Sequence, residues 1–355
     1  AETESGFNIL EIKNTSEEGI VFATSVTIKE LIDNGCNIRF ANGERSGWTL
    51  EKDEVITGDI NLARGTLDLN GHKLTVTGNL IHSGGTILVN GGELEVQGDY
   101  RVQSLNGTSY TNSAGILNMT NGADTVKVLG DFVMQSTQSH KDKLTAGTLE
   151  VGGDLTELSG GSSNNFYTSD AHTVILNGSE NQTVSIYYNS KENSRINNFK
   201  ITNTSDEGVT FADSIYVVGK LYNTDTNLTN SSYIYASNST QIVDAQWNHS
   251  ITFAENRTID ENTIINGDLY IIGGTTVLEA DLNIENTLYL NSCTLNLNGY
   301  TLTVNNDLYL SANGSTTYLK INKGKLYVNG NFNMQRINGN YGEGYLTMVN
   351  SEDYI

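Results

Sequence analysis

Six aspartates recur behind a glycine or asparagine and ahead of an apolar residue. They are Asp59, Asp99, Asp131, Asp154, Asp268 and Asp307, in triplets such as Gly58-Asp59-Ile60, Gly98-Asp99-Tyr100 and Asn306-Asp307-Leu308. Carboxylates repeated at fixed spacing could converge on a hard cation, which needs several oxygens at about 2.3–2.6 Å. Two carboxylates facing one groove at about 5–9.5 Å could instead cleave a glycosidic bond. The pattern weakens both readings. Asn79 and Asn331 stand in the same position in other copies, and no Asp-Asp or Asp-x-Asp pair occurs in the chain. Asp at a turn commonly accepts a hydrogen bond from nearby backbone. The series therefore reads as turn residues, with calcium as the one cofactor the pattern admits and no catalytic residue assigned. The five histidines (His72, His82, His140, His172 and His249) show no Ser or Cys partner motif and no His-x-x-x-His spacing, and read as surface or corner residues. Cys36 and Cys293 lie too far apart in sequence for a disulfide framework or a recognisable metal site, and read as unpaired core or turn residues.

The tyrosines offer a second chemistry. Thirteen of the 18 lie after residue 210, and Tyr270, Tyr289, Tyr309 and Tyr327 follow one another at spacings of 19, 20 and 18. Each stands between two aliphatic residues, as in Leu288-Tyr289-Leu290. On a strand that alternation turns the aliphatics inward and the ring outward. Four outward rings at repeat spacing predict an aromatic stripe, either a carbohydrate-binding platform with phenol hydroxyls for hydrogen bonds or a self-stacking ladder that stabilises one sheet. The corresponding N-terminal positions include Asn61, Ile81 and Arg101, so the stripe is confined to the second half.

The elements that would position these residues are legible in one period. Residues 58–77 contain three short alternating runs, Ile60-Asn61-Leu62, Leu67-Asp68-Leu69 and Leu74-Thr75-Val76. Each is the period-2 pattern of a half-buried strand. Between them fall Ala63-Arg64-Gly65 and Asn70-Gly71, whose Gly and Asn tolerate the positive φ of tight corners. The Gly-Asp/Asn signature at Gly58, Gly78 and Gly98 repeats every 20 residues. Three strands and three corners in that length predict one coil of an all-β, single-stranded parallel β-helix (β-solenoid) with about 20 residues per coil, right-handed by the usual crossover preference. Leu67 should stack on Ile87 and Leu74 on Leu94.

A larger repeat agrees. Residues 12–23 return at 201–212, an offset of 189; the Thr66-Leu67-Asp68-Leu69-Asn70-Gly71 run returns at Thr294, an offset of 228; and Leu94-Glu95-Val96-Gln97-Gly98 returns as Leu326-Tyr327-Val328-Asn329-Gly330, an offset of 232. Insertions of one coil are what a solenoid tolerates, because each coil touches mainly its neighbours. The expected organisation is one elongated solenoid over 1–355, with a first large repeat over 1–196 and a second over 197–355 carrying about two extra coils. Glu352-Asp353-Tyr354-Ile355 stops in mid-pattern without a polar cap, which suggests a piece of a longer chain and a capacity for end-to-end self-association.

Composition bounds the function. The chain has 355 residues, 45 of them Asn by count, 36 Gly, no Pro and a net charge of −21. Such acidity disfavours nucleic acid, and no apolar run approaches the length of a membrane helix. Proline cannot donate to a ladder, so its absence suits strands flanked on both sides. The run Gly-Thr-Leu-Asp-Leu-Asn-Gly-His-Lys-Leu-Thr-Val-Thr-Gly-Asn-Leu at 65–80 resembles the repeats of large secreted bacterial β-helix surface proteins. That resemblance implies an adhesin, a stalk or a polysaccharide-binding surface. The expectation is a non-catalytic extracellular structural or adhesive module whose partner is a polysaccharide or other cell-surface ligand. The alternatives are a polysaccharide-degrading hydrolase or lyase and a self-assembling filament subunit.

Overall fold

The computed structural model describes residues 6–14, 20–22, 27–28, 31–32, 38–40, 47–106, 108–312, 315–336 and 344–347. Cys36 and the terminal run 352–355 lie outside the described residues, as do 15–19 of the first long repeat. The fold is an all-β parallel solenoid of about 14 turns, with three strands per coil and about 20 residues per turn. Among the described residues the only helices are single 3-10 turns at Ser231–Tyr233 and Val243–Ala245. Contacts divide the chain into two compact units, Ala1–Asp213 and Ser214–Ile355.

In the first unit three parallel sheets form by stacking equivalent strands of successive coils. Trp48, Leu67, Ile87 and Leu117 align in one sheet, Leu74, Leu94, Val126, Leu149, Val174 and Phe199 in another, and Ile60, Leu80, Tyr100, Phe132 and Leu155 in the third. All of these side chains are buried, so the inward ladders make one continuous core. Leu67 does stack on Ile87 and Leu74 on Leu94. One departure interrupts the parallel pattern: Tyr100–Asn106 runs on past its sheet and folds back antiparallel onto Ser109–Asn112, an exposed hairpin.

The corners explain the sequence signature. Asn70 and Asn90 adopt φ of 48° and 47°, and the glycines that follow sit at 81°, so each Asn-Gly pair makes a left-handed corner. The Gly of Gly-Asp is required for a different reason. A Cβ on Gly98 would lie 2.5 Å from Asn79 Oδ1 and 2.8 Å from Gly78 O, because successive corners stack directly.

The second unit has its own three sheets. One runs through Ile215–Val217, Ile234–Ala236, Ile251–Phe253, Leu269–Ile272, Leu288–Asn291, Leu308–Ala312 and Phe332–Arg336. A second joins Gln246–Trp247, Thr263–Ile265, Leu282–Ile284, Thr301–Val304 and Lys325–Val328, and a third joins Arg257–Ile259, Thr275–Leu278, Thr294–Asn296, Thr317–Lys320 and Gly344–Thr347. Leu269, Leu288 and Leu308 stack inward at the same level, fully buried.

Candidate functional site

The corner carboxylates form hydrogen-bonded columns. In the first unit Asp59 Oδ1 accepts the backbone N–H of Asn79 at 2.6 Å, Asn79 Oδ1 that of Asp99 at 2.8 Å, and Asp99 Oδ1 that of Asp131 at 3.0 Å. Asp131 Oδ1 then accepts Asp154 N–H at 2.9 Å and Asp154 Oδ1 accepts Thr183 N–H at 2.7 Å. The second unit repeats the device: Asp268 Oδ1 takes Thr287 N–H at 3.1 Å and Asp307 Oδ1 takes Asn331 N–H at 2.7 Å. Only an acceptor oxygen is needed, which is why Asn substitutes freely for Asp. The bond to Asn331 holds the Asp307 carboxyl below the usual range. Among the described residues no group of three or more His, Cys, Asp or Glu is placed to hold a metal ion.

The tyrosines separate into a ladder and an outlier. Tyr270, Tyr289 and Tyr309 are register partners on adjacent strands. Tyr270 and Tyr289 stack at 4.6 Å between centroids with planes 5° apart, and Tyr289 and Tyr309 at 5.1 Å and 11°. The ring faces are therefore turned toward one another, and the edges and hydroxyls point outward. Tyr270 and Tyr309 each donate their hydroxyl to the second oxygen of the corner aspartate two residues earlier, Asp268 at 3.4 Å and Asp307 at 3.1 Å. Partial burial, aided by Asp268, pushes the Tyr270 phenol up to about 12, while the hydrogen bond to Asp307 raises that of Tyr309.

Tyr327 does not join them. Its strand, Lys325–Val328, pairs with Thr301–Val304, and Tyr327 aligns with Thr303 in a different sheet. The residue above Tyr309 is Asn333. The cause is the longer coil between them, which places the next equivalent position 24 residues on rather than 18. The repeat that matches Leu326-Tyr327-Val328 to Leu94-Glu95-Val96 was the sequence signal for this placement. Sequence reasoning also missed two members of the column. Tyr216 and Tyr235 are register partners, edge-to-face at 5.2 Å, and the buried Thr252 lies between Tyr235 and Tyr270. Ile215-Tyr216-Val217 and Ile234-Tyr235-Ala236 carry the same apolar-Tyr-apolar triplet, 19 residues apart.

Three histidines also differ from expectation. His82, His140 and His172 are core residues rather than surface or corner ones, each 0% exposed. His82 Nδ1 lies 3.0 Å from Tyr100 Oη and His140 Nε2 accepts Leu117 N–H at 3.1 Å, whereas both ring nitrogens of His172 are buried without a hydrogen-bond partner. Burial pushes their imidazoles down to about 4, 3 and 3. His72 and His249 are partly exposed. Cys293 is buried and unpaired, its thiol pushed up to about 12 by desolvation.

One carboxylate escaped the sequence reading. Glu157, 1% exposed, accepts Tyr188 N–H at 2.9 Å and the Ser194 hydroxyl at 3.2 Å, and burial lifts its carboxyl to about 7. Its donors come from loops that close over the coil, so it is enclosed by protein. Comparison with protein-family models, with curated proteins and with solved structures finds no match.

Proposed function

We propose that the chain is a non-catalytic structural β-solenoid module of an extracellular bacterial surface protein. The observation that carries this reading is the engagement of the recurrent carboxylates. From Asp59 to Asp154 the column in the first unit gives its Oδ1 atoms to backbone N–H groups one coil away. A glycosidase needs one free carboxylate and one proton-bearing carboxyl across an open groove. Here the repeated acids hold corners, and the carboxyl with a raised pKa, Glu157, is buried. The tyrosine ladder supports the same reading, because ring faces that cover each other stabilise a sheet rather than receive a sugar ring. The extracellular, bacterial setting rests on the resemblance of residues 65–80 and on the acidic, Asn- and Gly-rich composition. A calcium requirement is not part of the proposal.

The test is product release. Incubation with plant and bacterial polysaccharides, read by reducing ends for hydrolysis and by ultraviolet absorbance of unsaturated ends for lysis, is expected to show none. Turnover abolished by changing one Asp or Glu would overturn the reading in favour of a polysaccharide-degrading enzyme.

A further inference from the structure

The stacking of the second unit is interrupted near its start. Gln241–Ile242 pairs with Lys220–Leu221 on one side and ends its sheet on the other. One coil further on, Arg257–Ile259 pairs with Thr275–Leu278 and likewise ends its sheet. The two terminal strands belong to neighbouring coils, yet no strand pairing joins them. Between them lies an open cleft of about 930 Å³, lined by residues of both.

The break is built, not loose. Arg257, 9% exposed, lays its guanidinium over the Phe253 ring at 4.2 Å and donates to the carbonyls of Ser237 (3.0 Å) and Thr240. A buried cation thus ties the two coils below the cleft where ladder hydrogen bonds are missing. Ile259 C=O accepts Glu279 N–H at 2.7 Å, so by the alternation of a parallel strand the N–H and C=O of Thr258 face the cleft. Gln241 N–H is directed to Gly219 O, which leaves the main-chain groups of Ile242 facing it from the other wall. Exposed side chains around it include Asn238, Gln241, Asn256, Thr258, Asp260 and Glu261, with the half-buried Val277 as an apolar patch.

We propose that this cleft binds a short neutral oligosaccharide. The proposal goes beyond the structural reading above and does not use the tyrosine ladder. Amides, hydroxyls and carboxylates around a cleft supply the donors and acceptors that sugar hydroxyls need, and the volume is in the range of ligand sites, about 300–1,000 Å³. Asp260 and Glu261 at the rim, on a chain of net charge −21, turn away uronic or sulfated sugars. An extended peptide fits less well. Peptides that add a strand draw their affinity from a run of main-chain bonds, and these short edges offer one residue each.

Calorimetric titration of the full chain with cellotetraose, maltotetraose and chitotetraose tests this. One of them is expected to saturate a single site. Thr258→Trp, which places a ring in the cleft from an exposed strand position, should raise Kd by about tenfold or more without changing the melting temperature. Gln241→Ala should weaken binding severalfold, and serves if the tryptophan variant does not fold. The proposal is overturned if none of the three saturates, if the cleft variants bind as tightly as the parent, or if only an extended peptide binds there. Release of reducing ends from a bound chain would contradict the non-catalytic reading and leave the cleft assignment standing.

Discussion

The rings of Tyr270 and Tyr289 lie 4.6 Å apart and 5° from parallel, one coil above the other. That spacing is the strand separation of a sheet, about 4.7–4.9 Å, so the backbone itself sets the stack. Tyr309 extends it at 5.1 Å, and the middle ring, Tyr289, has a partner on each face. Aromatic pairs contribute about 0.5–1.5 kcal/mol each beyond their buried area. Tyr289→Ala should therefore destabilise the second unit by about 1–3 kcal/mol. Tyr289→Phe should keep most of that stability. Tyr327→Ala, on another sheet, should cost less than Tyr289→Ala; differential scanning calorimetry reads all three.

The corner columns predict an asymmetry between two substitutions at one site. Asp154→Asn keeps an acceptor for Thr183 N–H, as Asn79 does for Asp99, and should be close to neutral. Asp154→Ala leaves that N–H without its partner, at a cost of about 1–2 kcal/mol. Chemical denaturation of the two variants side by side checks the order. Equal losses would mean that the carboxylate charge, rather than the acceptor oxygen, matters at the corner.

The same columns predict indifference to calcium. With Oδ1 of Asp59, Asp99, Asp131 and Asp154 engaged by backbone, melting temperatures in EDTA and in millimolar calcium should coincide. A calcium-dependent rise would show that the remaining carboxylate oxygens converge on an ion.

Buried titratable groups give the first unit a pH profile. His82, His140 and His172 have folded pKa values depressed to about 4, 3 and 3 from an ordinary 6.5. As pH falls below 6.5 the unfolded chain takes up protons that the folded one refuses, so stability drops toward acid. Glu157 acts in the opposite sense. Its folded pKa of about 7 against an ordinary 4.5 makes stability fall as pH rises from 4.5 to 7. With three histidines against one glutamate, stability should rise with pH between about 4.5 and 6.5, with net proton uptake on unfolding. Glu157→Gln should stabilise more at pH 8 than at pH 4.5. Calorimetry in buffers of different ionisation enthalpy measures the uptake directly.

The architecture was legible because each coil writes the same alternation and the same corner residues, and a period of 20 can be read without knowing any contact. Tyr327 shows where that reading fails. Spacing alone placed it with Tyr309, but the intervening coil is longer, and a shift of a few residues moves a side chain to another sheet. Tyr216 and Tyr235 were hidden for the converse reason, since Thr252 interrupts the run of tyrosines although the register continues. The histidines could not be placed from sequence, because whether His140 points inward depends on a loop that carries it under Leu117. Nor could the cleft at Arg257, which exists only because two neighbouring strands fail to pair.

The double variant Tyr289→Ala/Tyr309→Ala tests most directly whether the repeated side chains hold coils together or receive a ligand. Thermal unfolding of the full chain and retention on immobilised polysaccharides are measured together. The structural account predicts a melting transition of the second unit lowered on the order of 5 °C, with polysaccharide retention equal to that of the parent. An unchanged melting temperature with retention lost would contradict it, and would make the tyrosines a binding surface.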